Sequence, residues 1–202
     1  MIHTFNNDLP ANLRITGDLA IDTETMGLNI KRDRLCLVQI SNGGSDSYLI
    51  KFDQGNYAAP NLKKLLNDPK SIKIFHFARF DLASIQHYLD VKINNIFCTK
   101  IASRLVRTYT DYHGLKDLCR ELLGVHISKQ QQSSYWGNAT ISKEQEDYAA
   151  GDVLYLHKLR DALTEMLKRE NRLELAQEIF KFLPTRVSLD LLGWGDVDIF
   201  SH

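Results

Sequence analysis

Hydrophobic positions fall in short blocks over the first hundred residues and in helical periodicity afterwards. The apolar run from Leu19 turns acidic in its second half, Leu19-Ala20-Ile21-Asp22-Thr23-Glu24-Thr25, and reads as a first strand. Arg34 to Ser41 and Ser47 to Lys51 are two further β-type runs, separated by the turn signal Asn42-Gly43-Gly44-Ser45-Asp46. A short helix over 61–66, stopped by Asp68-Pro69, leads to a fourth strand over 72–76. The stripe Leu82, Ile85, Tyr88, Leu89 then predicts a helix from about Arg79 to Leu89, and 95–98 fits a short fifth strand.

From Thr99 the pattern is helical: 99–105, 115–123, one long helix over 143–169, and 173–182 ending before Pro184. Ser142 with Gln145 three positions on is the signature of a capped N-terminus. Strands first, then strand–helix units, then helices predict an α/β domain, one mixed sheet flanked by helices.

The 202 residues contain 44% hydrophobic and 25% charged residues, ordinary for one globular domain. No stretch approaches the roughly 20 apolar residues of a membrane span. The N-terminus lacks a basic and apolar leader pattern, so a cytoplasmic protein is expected. Cys36, Cys98 and Cys119 form no CxxC pair and read as reduced core residues. Lys plus Arg equals Asp plus Glu, which argues against a long duplex partner held by phosphate neutralisation and for a short or locally gripped one. The end of the chain, 191–200, carries Trp194 and Phe200 and is expected to dock on its own domain or on a neighbouring subunit.

Strand periodicity puts Asp22 and Glu24 on one face. Two carboxylates in a largely buried place repel one another and persist as charges only if a cation neutralises them; hard oxygen donors without Cys or His suit Mg2+ or Mn2+. A lone Asp-x-Glu reads equally as two solvated acids at a strand end. Asp81 falls in the first turn of a helix leaving a strand, where ligands gather in open α/β sheets, although a first-turn acid also suits the helix dipole. Tyr148 and Asp152 share a helix face at i and i+4, and the small Ala149, Ala150 and Gly151 between them would let that helix lie close to a neighbouring surface.

In order and spacing, Asp22-x-Glu24, Asp81 and Tyr148-x-x-x-Asp152 resemble the three motifs of the DEDD exonuclease superfamily, tyrosine branch, and the ribonuclease D group in particular. The resemblance covers about 19–163. It implies an RNase H-like fold and a 3'-5' exonuclease that uses two divalent cations. Asp22 would bridge both ions, Glu24 and Asp152 would complete the site of the nucleophilic water, Asp81 would hold the second ion and Tyr148 would orient the water. Leu28 matches the family's wedge between two bases, Met26 and Phe80 are candidates for the terminal base, and His76 is a further strand candidate. Arg104, Arg107, His113 and Lys116 are the basic candidates for a 5' phosphate.

Ribonuclease D enzymes continue into C-terminal helical domains, for which too few residues follow Arg169. The short chain, the segments 97–103, 108–116 and 127–134, and the tail Leu191-Leu192-Gly193-Trp194 resemble the nanoRNase C group, which implies RNA dinucleotides as substrate and a ring-shaped homo-octamer. The whole chain, 1–202, is then expected to be a single exonuclease domain, with about 171–202 serving docking or oligomer contacts. Trimming of longer RNA or DNA ends, and an inactive nucleic-acid-binding scaffold, are the alternatives.

Overall fold

The computed structural model describes residues 1–128 and 130–202; Lys129, within one of the stretches that carry the resemblance, lies outside them. The strands are β1 (Ile2–Asn6), β2 (Leu19–Thr25), β3 (Leu35–Ser41), β4 (Ser47–Lys51), β5 (Lys73–Phe75) and β6 (Ile96–Cys98). The helices are α1 (Pro60–Leu66), α2 (Ala78–Leu89), α3 (Thr99–Val106), α4 (Leu115–Leu123), α5 (Lys143–Leu154), α6 (Leu156–Arg169) and α7 (Leu173–Leu189). One mixed sheet runs in the order β1-β4-β3-β2-β5-β6. The meander β2-β3-β4 is antiparallel, while β1 joins β4, β5 joins β2 and β6 joins β5 in parallel. With helices on both faces this is the expected RNase H-like arrangement.

β2 sits near the centre, and its first three residues are wholly buried. The main core gathers Ile21, Val38, Ile40, Ile74, Phe75, Leu82, Ile85, Leu156, Leu159 and Leu163. A smaller cluster of Leu37, Leu49, Trp136 and Ala149 seals the other face beneath α5. The three cysteines are free and buried. Among the described residues no helix is long and apolar enough to cross a membrane.

Three features depart from the sequence pattern. β1 carries little periodic signal because it is a half-exposed strand at the sheet edge. The helix expected over 143–169 is two helices meeting at Tyr155 (φ −103°, ψ −6°). The break lets α5 follow β2, β3 and β4 while α6 packs on α3, α4 and α7. The last helix does not stop before Pro184 but runs through it to Leu189, because Leu183, Pro184 and Val187 are buried and tertiary packing outweighs the lost N–H. A short π-helical turn, Asp190–Trp194, follows; Arg79 donates to Asp190 (2.6 and 2.8 Å) and to the Gly195 carbonyl (2.8 Å). The backbone beyond α7 is thus tied to α2, while Leu192, Trp194, Val197, Ile199 and Phe200 stay exposed.

Candidate active site

Three elements converge at the end of β2. Its ladder with β3 pairs Asp22 with Gln39 and Glu24 with Leu37, and a bulge at Glu24/Thr25 then shifts the register so that Thr25 pairs with Leu35. Gln39, wholly buried, donates to Asp22 Oδ2 at 3.3 Å. β5 hands over to α2 through Phe77, whose left-handed backbone (φ 69°) turns the chain so that Asp81 enters the site at 4% exposure. Thr23, buried between the two β2 acids, donates its hydroxyl to Asp81 Oδ1 at 2.7 Å. α5 starts on a capping box in which Ser142 Oγ accepts from Gln145 N and Gln145 Oε1 accepts from Ser142 N. Anchored there, it brings Tyr148 and Asp152 over the sheet. One carboxylate oxygen from each of Asp22, Glu24 and Asp152 lies within 4.8 Å of the others.

Burial and mutual repulsion dominate the electrostatics. Desolvation first, then Asp81, Asp152 and Glu24, hold the Asp22 carboxyl well above the ordinary carboxylate range. Glu24 is raised for the same reasons, burial ahead of Asp152 and Asp81. Asp81 is pushed up to about 7, chiefly by burial, with the Thr23 hydroxyl pulling the other way. Burial, followed by Asp152 and Glu24, drives the Tyr148 phenol far above 10. Such a set of oxygens fits a hard divalent cation: each ligand is a carboxylate, and bound positive charge would relieve the repulsion that raises their pKa values.

The acids line one side of a cleft of about 540 Å³. Met26, Gly27 and Leu28 form one lip, His76, Phe77, Phe80 and Lys100 another, and Lys116, Ser133 and Trp136 also face it.

A family model for 3'-5' exonuclease matches residues 3–168. The chain belongs to this exonuclease family. Its curated relatives include ribonuclease D of Gluconacetobacter diazotrophicus, 35% identical over 158 residues, covering 77% of this chain and 39% of that protein. Ribonuclease D of Granulibacter bethesdensis is 33% identical over 183 residues, 87% of this chain and 45% of that protein. The chain thus spans less than half the length of these curated relatives. Among solved structures, the nuclease NrnC of Brucella melitensis is 54% identical with a TM-score of 0.95, and the match covers 100% of this chain and 98% of that one. Further structures of that protein, described as having bound Mg2+ and as bound to pGG, match at TM-scores of 0.94 and 0.95 with 52% and 53% identity.

In this chain the five motif residues, together with Met26, Leu28, His76, Phe80 and Lys116, all line the cleft. The other basic candidates do not. Arg107 is fully buried and serves the fold: it donates to Tyr112 O (2.7 Å) and Ser103 Oγ (3.2 Å) and pairs with Glu121. Its long side chain satisfies backbone and side chain beneath the loop, which removes it from any surface a phosphate would meet. His113 shares a hydrogen with Ser103 Oγ at 2.8 Å, and burial lowers its pKa, assisted by Arg107 and Arg104. Arg104 is exposed on α3, outside the cleft lining. His76 Nδ1 meets Thr99 Oγ1 at 2.9 Å, and since Thr99 donates to Phe75 O (3.1 Å), the imidazole supplies that proton.

Sequence reasoning missed Lys100, Phe77 and Trp136. Lys100 Nζ stands 4.2 Å from the Phe77 ring centroid, a cation over an aromatic face at the cleft. Position 100, just after the end of a strand leading into α3, was the available signal. Trp136 is 2% exposed, with its ring centroid 6.1 Å from that of Tyr148. Only a tryptophan in an otherwise polar stretch hinted at it. The small residues of α5 also divide differently from the expected seam. Ala149 and Ala150 are buried, but a Cβ on Gly151 would meet nothing within 4 Å.

Proposed function

We propose that this chain is a divalent-metal-dependent 3'-5' exoribonuclease acting on very short RNA, foremost 5'-phosphorylated dinucleotides, and releasing nucleoside 5'-monophosphates. The observation that carries the reading is the convergence of carboxylate oxygens of Asp22, Glu24 and Asp152 within 4.8 Å of one another in a cleft that Asp81 and Tyr148 also line. The structure of Brucella NrnC bound to pGG supports the substrate class. Its Mg2+-bound form supports Mg2+ as one usable ion, with Mn2+ the alternative.

Asp22, Glu24 and Asp152 would hold one cation and Asp22 with Asp81 a second. Cations there supply Lewis acidity, lowering the pKa of a water and offsetting charge on the departing 3'-oxygen. Tyr148 keeps its proton at neutral pH because burial and the adjacent acids push its pKa so far up. The phenol therefore orients the attacking water through a hydrogen bond and does not deprotonate it. Thr23 and Gln39 hold Asp81 and Asp22 in place through their hydrogen bonds. Leu28, 85% exposed at the lip, separates the two bases; Phe80, Met26 and Phe77 offer apolar faces, and Lys100 and Lys116 offer charge to phosphates. The whole chain acts as one exonuclease domain, and the exposed apolar tail, Leu192 to Phe200, supports self-association of the kind the ring-shaped octamer resemblance implies.

A length series tests the reading: 5'-labelled RNAs from the dinucleotide to the decamer, with Mg2+ or Mn2+, beside Asp22→Ala. Dinucleotide loss far faster than that of any longer RNA, abolished in the variant, is expected. Processive trimming of long RNA with dinucleotides accumulating would instead indicate a ribonuclease D-like trimmer.

A further inference from the structure

The turn that carries Leu28 is tied far more closely than an exposed surface loop requires. Leu28 itself reaches out at the cleft mouth, and the turn behind it is fastened at several points. Asp33 Oδ2 accepts the Asn29 N–H at 2.9 Å, and the Asp33 N–H donates to the Asn29 carbonyl at 2.7 Å. Asn29 Oδ1 in turn accepts the N–H groups of Lys31 (3.1 Å) and Arg32 (3.2 Å). The Asp33 side chain thus caps the Asn29 backbone, and the Asn29 side chain caps those of Lys31 and Arg32.

Contacts on either side of the turn complete the lock. The Asp33 carboxylate lies so close to Gly27 that a Cβ there would stand 2.4 Å from Oδ2, so only glycine admits it. Thr25 Oγ1 donates to Gly27 O at 2.5 Å, and Met26 N donates to Arg34 O at 3.0 Å. The Arg34 guanidinium bridges Phe52 O (3.2 Å) and Gly137 O (3.1 Å), fixing the turn to β4's end and to the Trp136 wall. Ordering a surface turn costs chain entropy, and an apolar side chain left in water returns nothing for it. A fixed, solvent-facing leucine at the mouth of a nuclease cleft gains only when a ligand covers it.

We propose that Asp33 is a positioning residue, holding the turn so that Leu28 stands ready between the two bases of the substrate. This rests on the dinucleotide reading above. Asp33 touches no substrate; it acts through Leu28, so its loss should appear in substrate binding and only by way of that leucine.

The test is a double-mutant cycle on a 5'-phosphorylated RNA dinucleotide, reading KM and kcat separately, with thermal midpoints and Mn2+ calorimetry on each variant. Leu28→Ala and Asp33→Ala should each raise KM about tenfold, a factor in the range expected for losing one buried leucine contact. The double variant should be no worse than Leu28→Ala. Asp33→Asn, which keeps an acceptor oxygen for Asn29, should recover most of the loss. Should Asp33→Ala fail to fold, Gly27→Ala displaces the same carboxylate without deleting it and should raise KM likewise. Two factors that multiply in the double variant, or a fall in kcat at constant KM, would overturn the role of Asp33 while leaving the substrate assignment standing. A wild type that ignores dinucleotides would instead refute the substrate assignment.

Discussion

Removing metal should make this protein more stable in mild acid than at pH 8, the reverse of an ordinary carboxylate-rich surface. The Asp81 carboxyl lies at about 7 against an ordinary 3.8, so between those values the folded protein binds a proton that the unfolded chain does not. Stability then falls as pH rises: the contribution is complete below 3.8 and lost through about 7. From pH 5 to pH 8 the loss from Asp81 alone is about 3 kcal/mol, at 1.36 kcal/mol per unit. Asp22 and Glu24 are raised as well and act in the same direction, whereas His113, lowered by burial, acts in the opposite one. Subtracting Asp81→Asn removes this carboxylate together with its push on Asp22 and Glu24, while the amide keeps an acceptor for Thr23. The assay is urea unfolding in EDTA at several pH values for both proteins. Wild type minus variant should fall by about 3 kcal/mol from pH 5 to 8, and saturating Mn2+ should flatten or invert the trend. A difference independent of pH, or one that grows with pH in EDTA, would refute the picture of acids held together against their own repulsion.

Tyr148→Phe should lower kcat by about a hundredfold or more while leaving Mn2+ affinity intact by calorimetry, because it removes an orienting hydrogen bond and no ligand. Thr23→Val, which strips Asp81 of its buried donor, should cost about 1 kcal/mol in urea unfolding and weaken Mn2+ binding, while Thr23→Ser should restore both. Gly151→Ala should stabilise the protein by about 0.5–1 kcal/mol, since a Cβ finds open space in that helix interior; a lower unfolding midpoint would contradict the geometry.

Most of the site was legible because its residues sit where local rules are strong. Asp22 and Glu24 stand out as charges in a buried run, and Tyr148 and Asp152 follow a helix with an explicit capping box. Where reading failed, the deciding contact was distant in sequence. Arg107 reads as a surface cation until Tyr112 O, Ser103 and Glu121 are found around it. Pro184 reads as a stop until Leu183 and Val187 are seen buried on either side of it, and β1 is ordered only by pairing with β4. No local window contains the Thr23–Asp81 bond, which joins positions 58 residues apart.

The break at Tyr155 shows how the fold reconciles packing with chemistry. A straight helix over 143–169 would have to satisfy two partners at once, the sheet through Ala149 and α3 with α7 through Leu159, Leu163 and Leu167. Splitting it lets α5 settle on β2, β3 and β4 by its buried alanines, which sets the height of Asp152 above Asp22 and Glu24. α6 then carries the large aliphatic burial that the acidic site cannot provide. Repulsion among the carboxylates opposes the close approach of α5 and α2 to β2, which the buried alanines of α5 and the apolar stripe of α2 favour. Conditions that weaken the repulsion, protonation or a bound cation, should therefore tighten the whole domain and not the cleft alone.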